Sequence, residues 1–181
     1  MMRAKIIESG GGKMKSIWVY PEKCTGCSQC IMVCSYTKTG KYSPRDALLQ
    51  LLSWEEHCLT IPVVCAQCEN APCQAACPVD AIYRSPENGA VVVDEALCTA
   101  CGLCMEACPT GSIFIDRHSN AAIKCDLCGG QPACVEVCYP GALHLDEIEW
   151  AKRLEQREWW VEARKVHGRQ QLPGFPITVK E

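Results

Sequence analysis

The apolar positions of this chain fall mostly in short runs, which are separated by longer polar or glycine-containing stretches. Many of the runs contain β-branched residues, which is typical of strands rather than helices. We therefore predict strands at residues 16–20, 60–64, 81–83, 91–94, 112–116, 121–124 and 142–146. Segments such as 103–108 and 133–138 suit single helical turns. The alternation of strand, loop, short helix and strand predicts an α+β fold.

The composition changes between residues 147 and 168, where helix-forming residues dominate. Apolar positions such as Ile148, Leu154 and Trp159 form an imperfect helical stripe, and three tryptophans lie in this segment. We predict a C-terminal helix here. It packs either as a brace on its own domain or against another subunit through exposed tryptophan. The segment after Gln171 has an irregular pattern and is predicted to be an extended docking arm.

The strongest pattern is the spacing of cysteine, of which the chain has 17 in 181 residues. Sixteen form four groups of four with spacings x2-x2-x3, x2-x4-x3, x2-x2-x3 and x2-x5-x3. The groups are Cys24, Cys27, Cys30 and Cys34; Cys65, Cys68, Cys73 and Cys77; Cys98, Cys101, Cys104 and Cys108; and Cys125, Cys128, Cys134 and Cys138.

This spacing suits 4Fe–4S clusters, because a tight C-x-x-C-x-x-C loop wraps three thiolates around one side of a cube. The N–H groups of such a loop point inward and hydrogen-bond the sulfur atoms. A proline after the fourth cysteine belongs to the same motif, and Pro78 and Pro109 match it, whereas Ser35 and Tyr139 do not. Zinc is the alternative, but four cysteines within eleven residues fit a cube better than one tetrahedral ion.

Composition and charge narrow the class of protein further. Aromatic residues make up only 7% of the chain, so clusters would replace part of an apolar core. The formal charge of −3 would become more negative by roughly 8 with four oxidised clusters, which disfavours nucleic-acid binding. We find no leader pattern and no apolar stretch of membrane-spanning length, so we expect a cytoplasmic chain with reduced thiols rather than disulfides.

The other candidate residues indicate no catalytic chemistry. Cys58 follows His57, but no spacing relates this cysteine to the repeats, so we predict that it is not a ligand. His118, His144 and His167 lack metal-ligand spacing, and no G-x-G-x-x-G motif is present. We therefore expect a protein that is not an enzyme by itself. The long interval 36–59 either packs over a pair of clusters or forms a docking loop.

With these motifs, the chain resembles the four-cluster ferredoxin-type subunits of molybdenum and tungsten oxidoreductases, the superfamily of the dimethyl sulfoxide reductase iron–sulfur subunit. The resemblance covers residues 23 to about 145. The stretches V-C-A-Q-C-E-N-A-P-C at 64–73 and K-C-D-L-C-G-G-Q-P-A-C-V-E-V-C at 124–138 are most similar to the companion subunit of tungsten aldehyde oxidoreductase.

The resemblance implies two fused bacterial-ferredoxin-like modules of βαββαβ type, rich in loops, within residues 1–147. Residues 148–181 would form a C-terminal helix and docking tail. The outer motifs, 24–34 and 125–138, would pair, and so would the inner motifs, 65–77 and 98–108. In each pair the fourth cysteine would serve the other cluster. The implied ligand sets are Cys24, Cys27, Cys30 with Cys138; Cys125, Cys128, Cys134 with Cys34; Cys65, Cys68, Cys73 with Cys108; and Cys98, Cys101, Cys104 with Cys77.

The resemblance implies that this chain transfers single electrons from a catalytic subunit to a flavoprotein or other acceptor. The catalytic subunit would contain a tungsten or molybdenum pterin and would oxidise an aldehyde to an acid. An FAD- or NAD-linked subunit and head-to-tail self-association are further expected partners. The alternative is a free polyferredoxin that exchanges electrons with a hydrogenase or carbon monoxide dehydrogenase. Lys23 and Lys124 each precede a cysteine loop, and their charges would either raise the local reduction potential or screen the negative charge of the clusters.

Overall fold

The computed structural model describes residues 14–116 and 119–167. Within them the chain forms eight short strands, five α-helices and four 3-10 turns. The elements in chain order are β1 (Met14–Val19), α1 (Gln29–Thr39), β2 (Gln50–Trp54), β3 (Leu59–Val63), α2 (Pro72–Ala75), β4 (Ile82–Arg84), β5 (Val91–Val93), α3 (Leu103–Ala107), β6 (Ile113–Ile115), β7 (Ala122–Lys124), α4 (Ala133–Glu136), β8 (Leu143–Ile148) and α5 (Trp150–His167).

The strands form four separate antiparallel pairs: β1 with β8, β2 with β3, β4 with β5, and β6 with β7. Three pairs are local, whereas the first strand pairs with the last, with Met14 opposite Ile148 and Val19 opposite Leu143. This pairing brings the two ends of the cysteine-containing region together. Small helices and antiparallel strand pairs confirm the predicted α+β, ferredoxin-like class of fold.

The residue after the fourth cysteine affects where helices α1 and α3 end. Helix α3 stops at Cys108, whose extended backbone (φ −78°, ψ 112°) is the conformation that the following Pro109 favours. No proline follows Cys34, so α1 continues for 11 residues until Gly40, which adopts the left-handed conformation (φ +69°) and donates its N–H to the carbonyl of Tyr36. Helix α1 is therefore longer than the single turn typical of the other motifs.

The interval 36–59 packs into the core. Leu48, Leu49, Leu52 and Trp54 are all buried, and they join Ile61 in the larger of two apolar clusters. Strand β2 in this interval was not predicted, because its sequence Q-L-L-S-W lacks the β-branched residues that mark the other strands. The packing interpretation of the interval therefore describes the structure better than a free docking loop.

Helix α5 braces the domain against β1 and β2. Its buried residues are Arg153, Gln156, Trp160 and Ala163. The Gln156 amide accepts a hydrogen bond from the N–H of Val19 at 2.8 Å and donates to the carbonyl of Ile17 at 3.1 Å. One side chain thus satisfies two backbone groups of β1. The predicted docking arm after Gln171 lies outside the described residues.

Candidate metal centres

The structure gathers the sixteen repeat cysteines into four cavities, each lined by four of them. Three members of a cavity come from one group and the fourth comes from its paired group. We call the cavities site I (Cys24, Cys27, Cys30 and Cys138), site II (Cys65, Cys68, Cys73 and Cys108), site III (Cys98, Cys101, Cys104 and Cys77) and site IV (Cys125, Cys128, Cys134 and Cys34).

The four cavities are alike in size. The empty volume of each cavity, including the part open to solvent at its entrance, is about 330 Å³ at site I, 350 Å³ at site II, 290 Å³ at site III and 320 Å³ at site IV. The other lining groups are mostly apolar side chains, such as Leu143 at site I and Val64 at site IV. Four similar cavities with four soft sulfur donors each suit the same cofactor at every site.

A shared backbone conformation shapes the four cysteine loops. The residue two positions after the first cysteine has a positive φ in every group: Gly26 (+69°), Gln67 (+47°), Ala100 (+55°) and Leu127 (+59°). Three of these residues are not glycine, and each left-handed residue of that kind costs about 1–2 kcal/mol. Only Gly26 could have suggested this conformation from the sequence.

Backbone N–H groups point at the sulfur atoms of the fourth cysteines. Ser112 donates to the Sγ of Cys108 at 3.3 Å, and Ala142 donates to the Sγ of Cys138 at 3.2 Å. The N–H of Leu48 reaches the Sγ of Cys34 at 3.4 Å, so the interval 36–59 contributes to site IV. Such donors stabilise the thiolate form and raise the potential of a bound cluster.

Several of the more buried thiols would hold their protons if no metal were bound. Burial, followed by the charge of neighbouring thiolates, raises the pKa of Cys30 to about 12 even though the N–H of Ile31 lowers it. Burial likewise raises the pKa of Cys73 and of Cys125 to about 12. Since iron binds the thiolate, assembly of a cluster at these sites must release protons. The bound iron ions then offset the free-energy cost of burying the thiolate charge.

Positive charge concentrates around site II. Lys124 is buried, lines the cavity and donates to the carbonyls of Val91 and of Cys125, the latter at 3.1 Å. Burial alone would lower the pKa of Lys124, but the surrounding thiolates raise it, Cys65 most strongly. Arg157 of α5 donates from Nη1 to the Sγ of Cys68 at 3.8 Å.

Two further arginines hold the site II loop through its backbone. Arg84 donates to the carbonyls of Cys68 at 2.9 Å and Glu69 at 3.0 Å. Arg153 donates to the carbonyl of Gln67 at 2.8 Å. Gln67 is itself buried, and its side chain joins the carbonyl of Cys125 to the N–H of Val91, which fixes the site II loop against the site IV loop.

The other sites carry less positive charge. At site IV, Lys38 lines the cavity but forms an ion pair with Asp126 at 2.6 Å. None of the described residues that line sites I and III is lysine or arginine. Lys23 is exposed and lies over the ring of Tyr20, 4.6 Å from its centroid, so it does not occupy a position equivalent to that of Lys124.

The four sites follow the order I, IV, II, III through the molecule. Cys30 of site I interacts electrostatically with Cys134 of site IV, and Cys125 of site IV does so with Cys65 of site II. The cysteines of sites II and III share the second apolar cluster. Among the sixteen, Cys27 of site I and Cys101 of site III are the exposed ones. The two end sites are therefore open to solvent.

The remaining sequence candidates lie away from these cavities. Cys58 is exposed in the turn between β2 and β3 and lines none of the four sites. His144 contacts the carbonyl of Gly141, and His167 contacts the carbonyl of Ser53, so both have structural contacts. His118 lies outside the described residues. No sequence pattern indicated roles for Arg157, Gln67 or Leu48, because their contacts depend on tertiary packing.

A ferredoxin-like fold with four cavities of four cysteines defines an iron–sulfur electron-transfer protein. The comparisons with known proteins agree, since the profile of the 4Fe-4S dicluster domain matches residues 56–148. The chain belongs to this 4Fe–4S dicluster domain family. It therefore carries 4Fe–4S clusters, and its cysteines suffice for four.

Two of the similar proteins are named as electron-transfer or polyferredoxin-like subunits, and a third is named as a ferredoxin. The polyferredoxin-like subunit of an aliphatic sulfonate oxidoreductase of Pyrococcus furiosus is 38% identical, over 68% of this chain and 72% of that protein. The thiosulfate reductase electron transfer subunit of Salmonella typhi is 34% identical, over 76% and 79%. A ferredoxin of Methanocaldococcus jannaschii is 43% identical, over 80% and 87%.

These relatives confirm the predicted class: the chain is a non-catalytic iron–sulfur subunit of an oxidoreductase complex. They do not single out tungsten aldehyde oxidoreductase, so that branch stays a prediction. Within residues 14–116 and 119–167, no helix is both long and apolar enough to cross a bilayer.

Proposed function

We propose that this chain conducts single electrons through four 4Fe–4S clusters held at sites I to IV, between a catalytic subunit and an electron acceptor. The observation that carries the proposal is the row of four equivalent four-cysteine cavities with exposed thiols at its two ends. When bound, the clusters supply reversible one-electron chemistry. The chain supplies their ligands, their separation from water in the interior, and the surrounding charge.

The ligand sets in this proposal are those that line the four cavities. Sites I and IV would form one ferredoxin-like module and sites II and III the other, within residues 1–147. Residues 148–181 would be the third part. Within the described residues, Gln156 of α5 attaches this part to the outer module. The crossed membership of each cavity supports the two-module arrangement.

For the partner, we propose a subunit with a molybdenum or tungsten pterin. The relatives named above serve a thiosulfate reductase and a sulfonate oxidoreductase. Within this class, the motifs at 64–73 and 124–138 favour tungsten and aldehyde oxidation. An FAD- or NAD-linked acceptor subunit and a cytoplasmic location complete the proposal, and each stays a prediction. Head-to-tail self-association also stays a prediction, but it is not part of this proposal.

Elemental analysis of the complex, purified without oxygen by a tag on this chain, tests the proposal. Tungsten or molybdenum together with iron beyond the needs of this chain is the expected result. Nickel would move the chain to a different enzyme class. Iron alone, without a second subunit, would overturn the proposal in favour of a free polyferredoxin.

A Cys58→Ala variant is the control for ligand assignment. Because Cys58 is exposed and lines none of the sites, the variant should keep its full iron content. Loss of iron from this variant would show that the sixteen-ligand assignment is wrong.

A further inference from the structure

We propose that the surface around site III is the docking face for a redox subunit whose own face is apolar at its centre and basic at its rim. The inference deepens the proposed function and depends on it for the nature of the partner. Three observations support it: an exposed cysteine, a concentration of exposed apolar side chains, and a one-sided charge.

The first observation is the access to site III. Cys101 is exposed, whereas every cysteine at sites II and IV is partly or fully buried. Electron transfer between proteins requires close approach of the two redox groups, so an entry or exit point must lie at an exposed site. Sites I and III are the two places where this condition holds.

The second observation distinguishes site III from site I. Four of the eight large apolar side chains that are exposed among the described residues belong to the site III loops: Val79 (38%), Leu97 (54%), Leu103 (44%) and Met105 (40%). Val79 lines the cavity itself, and the other three adjoin Cys98 or Cys104 in the sequence. Exposed apolar groups that surround one opening are typical of a protein interface.

The third observation is the charge of the same loops. Residues 77–81 and 94–108 contain Asp80, Asp94, Glu95 and Glu106 and no lysine, arginine or histidine. Asp80, Glu95 and Glu106 are exposed. A bound cluster would add further negative charge. The complementary surface on a partner is therefore basic, and it carries apolar groups opposite Leu97 and Met105.

The loops of site I have a different character. Residues 20–30 contain one acidic and one basic residue, Glu22 and Lys23, and residues 137–142 contain none. The single large apolar group exposed there among the described residues is Tyr139 (98%). Transient redox encounters use small interfaces, whereas permanent subunit contacts are more apolar. Site III thus suits a partner with a basic face and an apolar centre better than site I does. A second copy of this chain would bring a neutral site I, which does not complement the acidic face.

Electron transfer to cytochrome c, a lysine-rich haem protein, tests the face without any native partner. The rate is measured by stopped flow after mixing reduced holoprotein with oxidised cytochrome c at several salt concentrations. We expect Glu95→Gln/Glu106→Gln to slow the reaction roughly tenfold at low salt and to reduce its salt dependence. The matched control, Glu55→Gln/Glu56→Gln, neutralises two exposed carboxylates in the β2–β3 turn and should keep the original rate. Equal rates for the two variants would overturn the proposal.

Hydrogen exchange in the native complex provides the second test. Amides of residues 94–106 should exchange more slowly in the complex than in the free holoprotein, and Leu97→Ser should lower the yield of the partner more than the control Tyr42→Ser, another exposed residue. Protection confined to residues 20–30, or a self-associated form that Leu97→Ser abolishes, would overturn the proposal. If no complex is recovered, the proposed function fails, but the cytochrome c rates still decide which surface accepts a basic redox protein.

Discussion

Replacing Arg157 with glutamine should lower the reduction potential of one cluster only, the one at site II. The Nη1 of Arg157 is 3.8 Å from the Sγ of Cys68, which lines site II. A positive charge stabilises the reduced form, which carries one more electron, so its removal shifts the potential to a more negative value. Glutamine preserves most of the side-chain length while removing the charge.

The size of the shift follows from the geometry. Two unit charges at 3.8 Å would interact by about 4 kcal/mol at an effective dielectric constant of about 20. The added electron spreads over a whole cluster, and Arg157 is partly exposed to water, so a smaller effect is expected. We expect about 1–2 kcal/mol, which is about 40–90 mV for a one-electron couple.

A redox titration followed by electron paramagnetic resonance measures all four potentials in the same sample. Lys165→Gln is the matched control, because it removes one positive charge from an exposed position of the same helix. Arg157→Lys should retain most of the potential of the original protein. A uniform small shift of all four potentials, or an equal effect of Lys165→Gln, would refute the reasoning.

Three further predictions concern ligands, packing and backbone. Cys34→Ala should abolish the same spectroscopic signal as Cys125→Ala, and retention of that signal would contradict the crossed ligand sets. Gln156→Leu leaves two buried backbone groups of β1 without partners, so it should lower stability by about 2–4 kcal/mol, measured as earlier loss of visible absorbance in guanidinium chloride. Ala100→Gly should stabilise the holoprotein by about 0.5–1 kcal/mol, because Ala100 has φ +55°, a conformation that favours glycine. Gly102→Ala should destabilise it in the same assay, because Gly102 has φ +81°.

The groups of cysteines that line each cavity were predictable from the sequence, because cluster binding imposes a local spacing that does not depend on the rest of the fold. Cysteines such as Cys24, Cys27 and Cys30 lie on one loop, so their separation along the chain determines their separation in space. The strand runs were predictable for a similar reason, since β-branched residues mark them. Strand β2 was missed because its leucines suit a helix as well as a strand.

The contacts that distinguish one site from another could not be predicted, because they join distant parts of the chain. Arg157 and Cys68 are 89 residues apart, and Leu48 reaches Cys34 only because the interval between them folds back. The left-handed conformation of Ala100 has no signature in its side chain; it follows from the loop that places three thiols together. Local spacing thus predicts the ligands, and tertiary packing determines their environment.

The distribution of positive charge follows from burial. Sites II and IV lie inside the row and have no exposed cysteine, so water cannot solvate the negative charge of a cluster there. These are the two sites where a cation, Lys124 or Lys38, lines the cavity. Sites I and III open to solvent, and none of their described lining residues is lysine or arginine.

The two buried sites differ in net positive charge. The Lys38 charge is partly offset by Asp126, whereas Lys124 has no such ion pair among the described contacts and acts together with Arg157. Site II should therefore have the most positive potential of the four, and an electron entering at either end should occupy the cluster at site II first at equilibrium.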